Sequence, residues 1–205
     1  MIGQQQILFV SGIGTEVGKT IVSAILVEAF QADYWKPVQA GLEGVTDAEN
    51  ISVLAPHHGQ VFEERFRLKT PMSPDASAAR DNVKIKVKDF ELPETKNHLI
   101  VEGAGGLLVP LNESETVIDL IQHLSIPVVL VSRHYLGSIN HSLLSIEALK
   151  VRNIPIELLV FVGNHPETET SILQHSGIKK YIIIPEVKEM DSRFIMDQAK
   201  RINFL

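Results

Sequence analysis

Apolar positions along this chain follow two alternating rhythms. Unbroken apolar runs of strand length occur at ILFV (7–10), YWKPV (34–38), HLIVEGAGG (98–106), PVVLVS (127–132), IELLVFVGN (156–164) and YIIIP (181–185). Pro37 has no N–H to give to a ladder, so the second strand is expected to end there. Between the runs, apolar residues recur at helical spacing in TIVSAILVEAF (20–30), TDAENISVLA (46–55), VIDLIQHL (117–124) and SINHSLLSIEALKVRN (138–153). In the last of these, Ile139, Leu143, Ile146 and Leu149 are expected to form the apolar face. The stretch 56–97 is the least periodic and reads as an insertion or a substrate loop.

Strands that are apolar on both faces and separated by helices predict an α/β fold, a mostly parallel sheet flanked by helices on both faces. A chain of 205 residues suits one such domain, expected to span 1–205. Composition narrows the function. A net charge of −6 argues against a nucleic-acid partner, and the basic cluster at 84–96 is interleaved with acidic residues. The absence of cysteine excludes disulfides, thiolate zinc sites and thiol nucleophiles. No apolar run reaches the roughly 18–20 residues that span a bilayer. No membrane association and a cytoplasmic location are therefore expected.

Ligands of open parallel sheets sit at the carboxyl ends of the strands, so the residues there carry the chemistry. After the first strand comes Gly12-Ile13-Gly14-Thr15-Glu16-Val17-Gly18-Lys19-Thr20. Gly-Lys-Thr opening an apolar helix is the signature of a phosphate loop. Its N–H groups cradle the anion, Lys19 supplies positive charge, and the Thr20 hydroxyl ligates Mg²⁺. The loop is one residue longer than the usual pattern. Lys36, after the second strand, is placed to point into the same crevice, although a lone lysine there is more often a surface residue. Asp47 follows Thr46 in a Thr-x-x-Glu capping box with Glu49, and on spacing alone the capping role is the stronger account. Glu102 ends an apolar strand, where a second magnesium ligand is expected, and Gly103, Ala104, Gly105 and Gly106 allow close approach of an anion. Ser138 reads as the cap of a helix whose first N–H groups are free for a carboxylate. His141 and Asn164 read more simply as a structural histidine and a turn residue.

Taken together these residues resemble the dethiobiotin synthetase family. The resemblance rests on the long phosphate loop and on KPVQAG (36–41), TD (46–47), VEGAGG (101–106), LGSINH (136–141) and the Asn164 turn. It implies a P-loop NTPase-like fold, ATP with Mg²⁺, and a homodimer with the substrate site at the subunit interface. It also implies 7,8-diaminononanoate and CO2 as small-molecule substrates. By the same resemblance Thr20, Asp47 and Glu102 hold the metal, and Lys36 and Lys19 are catalytic. Gly12 and Thr15 to Ile21 (with Val17 and Gly18), together with Glu102 to Gly105, wrap the phosphates. Asn164, His165 and Pro185-Glu186-Val187 line the base pocket. Thr15, Lys36, Ala40, Gly105, Gly106 and Ser138-Ile139-Asn140 contact the diamine.

Three positions depart from the family pattern. Gly14 replaces an acidic residue of the loop, Ala40 stands where a hydroxyl is frequent, and Asp75 where a histidine is frequent. The competing reading is a regulatory P-loop ATPase of the partition or cell-division type. Those proteins carry a signature lysine near the start of the loop, and Gly12-Ile13-Gly14 has none.

Overall fold

The computed structural model describes residues 5–187 and 190–202. In chain order the elements are β1 (Ile7–Gly12), α1 (Lys19–Phe30), β2 (Asp33–Trp35), β3 (Val38–Ala40), α2 (Asp47–Leu54), β4 (Val61–Phe62), β5 (Phe66–Leu68) and α3 (Pro74–Arg80). They continue with β6 (Leu99–Gly106), α4 (Val117–Leu124), β7 (Val128–Arg133), α5 (Ser138–Val151), β8 (Ile156–Val162), α6 (Pro166–Ser176), β9 (Tyr181–Ile184) and α7 (Ser192–Ile202). The main sheet has seven strands in the order β4-β2-β6-β1-β7-β8-β9, and its described ladders are all parallel.

The central strands explain why the sequence reads as unbroken apolar runs. Phe9 and Val10 of β1, Val128 to Val131 of β7 and Leu159 to Phe161 of β8 are all 0% exposed. Consecutive residues point to opposite faces, so both faces are covered. On the helical layers α1 packs against α2 and α7, and α5 against α6. All crossovers return the chain so that the strands' carboxyl ends share one rim, with β1 between β6 and β7 at the switch in strand order.

Several expectations change in detail. The second strand divides at Pro37: β2 stays in the main sheet, while β3 pairs with β5 in a separate two-stranded parallel sheet. The aperiodic stretch 56–97 is not one loop, since it supplies β4 to the sheet edge together with β5 and α3. Glu102 does not end its strand, because β6 runs on through the glycines to Gly106. The buried face of α5 consists of Ser138, Ser142, Ile146 and Leu149, so Ile139 and Leu143 are displaced from it. Ser142 faces inward because its hydroxyl meets that of Ser132 at 2.8 Å. Towards the end of the chain, α7 buries Ile195, Ala199 and Ile202.

Candidate active site

The rim of carboxyl ends opens on a cavity of ≈ 910 Å³. Its floor is the loop joining β1 to α1. Gly18 caps α1 with φ 95, a left-handed conformation that only glycine adopts cheaply, and no side chain caps the helix there. The first-turn N–H groups are thus left for an anion, favoured also by the helix dipole. At Gly12 a Cβ would stand 2.4 Å from Val17 Cγ2 and 2.8 Å from the Gly14 carbonyl oxygen, so the loop folds over a position that admits no side chain. The Lys19 ammonium donates to the Gly14 carbonyl at 3.2 Å. Burial draws its pKa below the ordinary lysine value; Lys36 adds to that effect, while Glu102 and Asp47 oppose it.

Thr20, Lys36, Asp47 and Glu102 come from α1, the end of β2, α2 and β6, and meet at one point. The Thr20 hydroxyl lies 2.5 Å from Asp47 Oδ1 and 3.0 Å from Glu102 Oε1. Lys36 Nζ is 2.9 Å from Asp47 Oδ2 and 3.1 Å from Glu102 Oε1. Burial works against the Lys36 charge, but the two carboxylates outweigh it and hold the ammonium above its ordinary pKa. Asp47 is likewise opposed by burial, and Lys36 and the Thr20 hydroxyl bring its pKa below the usual carboxylate value. The capping box does form: Thr46 and Glu49 exchange their hydrogen bonds. The box does not engage the Asp47 side chain, which turns to Thr20 and Lys36 instead, so the capping account and the place of Asp47 in this cluster are compatible.

Hydroxyl and carboxylate oxygens are hard donors that suit Mg²⁺, which takes one or two protein carboxylates and completes its shell with water and phosphate oxygens. Thr20, Asp47 and Glu102 fit that pattern. Among the described residues, no group of three or more His, Cys, Asp or Glu could enclose a metal without such help.

The cavity also gathers Thr15, Glu16, Ile21 and Ala40, with Ala104 and Gly105 of β6 and Pro185, Glu186 and Val187 after β9. Other expected residues stand outside its lining. Val17 is buried in the core. Gly103 is packed where a Cβ would stand 2.6 Å from the Phe9 ring, and Gly106 where one would stand 3.3 Å from the Gly12 carbonyl oxygen. These two glycines let β6 pass the core and the phosphate loop closely. Asn164 and His165 are exposed just beyond Val162, a residue that does line the cavity. Ser138, Ile139 and Asn140 lie apart from the cavity, and the cap of α5 is Gly137 at φ 104, not Ser138. His141 is exposed, with Nδ1 2.7 Å from the Tyr135 hydroxyl.

Three contributors escaped the sequence reading. Tyr34 donates to Glu102 Oε2 at 3.1 Å, and its place two residues before Lys36 on the same strand face was the available signal. Arg133 lines the cavity at the end of β7, and its place directly after the apolar run was the available signal. Pro71, Met72 and Pro74, from the aperiodic stretch 56–97, line its far side.

Fold and site together define a P-loop nucleotide-binding protein. Residues 6–193 match the family model described as an AAA domain. Among solved structures, the chain resembles the septum site-determining protein MinD of Pyrococcus horikoshii, complexed with Mg-ADP (TM-score 0.57, 11% identity, 98% of this chain and 97% of that one). It also resembles a ParA family ATPase of Chlorobium tepidum (TM-score 0.53, 12% identity, 97% and 100%). At such identities these likenesses establish the fold alone. Sequence relatives are much nearer. The ATP-dependent dethiobiotin synthetase BioD of Christiangramia forsetii is 48% identical over 94% of each chain. That of Cytophaga hutchinsonii is 49% identical over 88% of this chain and 89% of its own, and that of Rhodopseudomonas palustris 41% over 96% and 95%. The chain belongs to the ATP-dependent dethiobiotin synthetase family.

Proposed function

We propose that the cavity binds ATP with Mg²⁺ and that the chain closes the ureido ring of dethiobiotin from 7,8-diaminononanoate and CO2, releasing ADP and phosphate. The observation that carries this reading is the meeting of Thr20, Lys36, Asp47 and Glu102 beside the phosphate loop, in a chain whose relatives are synthetases. A switch ATPase is disfavoured by the loop start, which lacks the signature lysine, and by the 11–12% identity to proteins of that kind.

One substrate amine captures CO2 as a carbamate, and its oxygen takes the γ-phosphoryl group of ATP. The resulting carbamic-phosphoric anhydride is attacked at carbon by the second amine, which closes the five-membered ring and expels phosphate. These steps ask the protein for positioning and for neutralisation of crowded negative charge rather than covalent participation. Lys36, held cationic between two carboxylates, meets the carbamate and the transferred group. Lys19 and the loop N–H groups hold the terminal phosphates. Thr20, Asp47 and Glu102 would hold Mg²⁺, which when bound offsets phosphate charge. The apolar rim of Pro71, Met72 and Val109 suits the alkyl chain of the diamine.

We also infer a homodimer. Leu136, Ile139, Leu144 and Val151 are exposed on α5 and the turn before it, an apolar surface that a second copy would cover. Pairing there would bring the N-terminus of α5 near a partner's cavity, where Ser138 to Asn140 would meet the substrate carboxylate. Steady-state ADP release tests the function. Turnover is expected only when diamine and bicarbonate are both present, and turnover with ATP alone, unaffected by diamine, would overturn the reading.

A further inference from the structure

Arg133 has no role in the chemistry above, yet its side chain joins two walls of the cavity. Nη1 donates to the Glu16 carbonyl oxygen at 3.3 Å, and Nη2 pairs with the Glu186 carboxylate. Glu16 lies on the long phosphate loop in a left-handed conformation, φ 56. Glu186 lies just past the end of β9, where no ladder bond of the sheet holds the chain. In the sheet, β8 stands between β7 and β9, and Arg133 is in register with Val162. The guanidinium therefore reaches over the end of β8 to tie the segment after β9 to the phosphate loop.

We propose that Arg133 and Glu186 form a clasp that fixes the Pro185–Val187 wall against the phosphate loop and thereby sets nucleotide affinity and residence. Both act as positioning residues, and the proposal rests on the nucleotide reading of the cavity. Arginine suits the task because its permanently charged, planar fork serves two acceptors at once. Both partners are about half exposed, at 44% and 56%, so the expected effect is modest: about three- to fivefold in affinity, weakening as salt rises. A direct phosphate contact by Arg133 makes the opposite forecast for its partner. Removing the Glu186 charge would free the guanidinium and tighten binding.

The test is calorimetric titration of Mg-ADP into wild type, R133M, E186Q and the double variant, with KM for ATP and kcat measured in parallel. The clasp predicts that each single variant weakens ADP binding about three- to fivefold and that the double is no weaker than R133M. It also predicts a larger change in KM than in kcat, only partial recovery of affinity in R133K, and smaller differences at high salt. Unchanged or tighter binding by E186Q, or additive losses in the double variant, would overturn it. Wild type that binds no ADP would overturn the nucleotide reading itself.

Discussion

Lys36 Nζ sits 2.9 Å from Asp47 Oδ2, and the same ammonium reaches Glu102. Lys36 and Glu102 are almost wholly buried, so the lysine is the charge that lets two carboxylates sit together at the cavity wall. Breaking a buried pair from one side leaves an uncompensated charge and costs about 3–5 kcal/mol. Lys36→Met is therefore expected to lower the melting temperature, and added Mg²⁺ is expected to recover more of it than it adds to wild type. Turnover is expected to fall about a hundredfold or more, with ADP binding largely kept. Thermal melts with and without Mg²⁺, set beside steady-state rates, check both parts. Wild-type rates in the variant would remove Lys36 from the mechanism.

Gly12→Ala would drive a methyl group against Val17 and the Gly14 carbonyl, at 2.4 and 2.8 Å. Overpacking of this kind costs about 1–3 kcal/mol, and the strain falls on the loop that holds the phosphates. ADP affinity is expected to drop at least tenfold while the circular dichroism of the folded chain is kept. Wild-type affinity would show that the loop tolerates displacement.

Gly14 offers the reverse case. A Cβ there meets nothing nearer than the Tyr135 hydroxyl at 3.9 Å and Val17 Cγ1 at 4.0 Å. Gly14→Asp is thus expected to fold with an unchanged melting temperature and, on the proposed placing of the diamine beside the loop, to lower the KM for the diamine. A raised KM would show that Gly14 is adapted to a different mode of amine recognition in this chain.

His134 is enclosed between Phe161 and His165, with ring centroids 5.6 and 4.8 Å away; its Nε2 lies 3.2 Å from a Glu169 carboxylate oxygen, and its Nδ1 has no hydrogen-bond partner. Burial lowers its pKa; Glu169 opposes that shift and His165 assists it. A histidine lowered in this way stabilises the fold in its neutral form. The contribution is complete above the unfolded pKa of about 6.5 and is lost as pH falls from there towards the folded value. The drop in melting temperature from pH 7.5 to 5.5 is expected to shrink in His134→Phe. An equal drop would remove His134 from the acid sensitivity of the fold.

How much of this was legible in the sequence depended on whether the signal was local. β1, β7 and β8 announced themselves because burial on both faces forces continuous apolar runs, and the phosphate loop because Gly18 and Lys19 act within one turn. The splitting of YWKPV into two sheets was only half visible: Pro37 marks a break, but the partner of β3 lies at Phe66 to Leu68. The capping box beside Asp47 was legible because it is local, whereas the meeting of Asp47 with Thr20 was not, since Thr20 lies 27 positions away in sequence. Ser142 was unreadable as a buried helix position because its partner hydroxyl, Ser132, belongs to strand β7. Arg133 could be placed at a strand end, but its two acceptors emerge only once the sheet order is known.

The central claim is tested most directly by the product. Purified protein incubated with ATP, Mg²⁺, 7,8-diaminononanoate and carbon-13 bicarbonate is expected to yield dethiobiotin carrying one labelled carbon, with ADP formed in equal amount. ATP hydrolysis without labelled dethiobiotin would contradict the account.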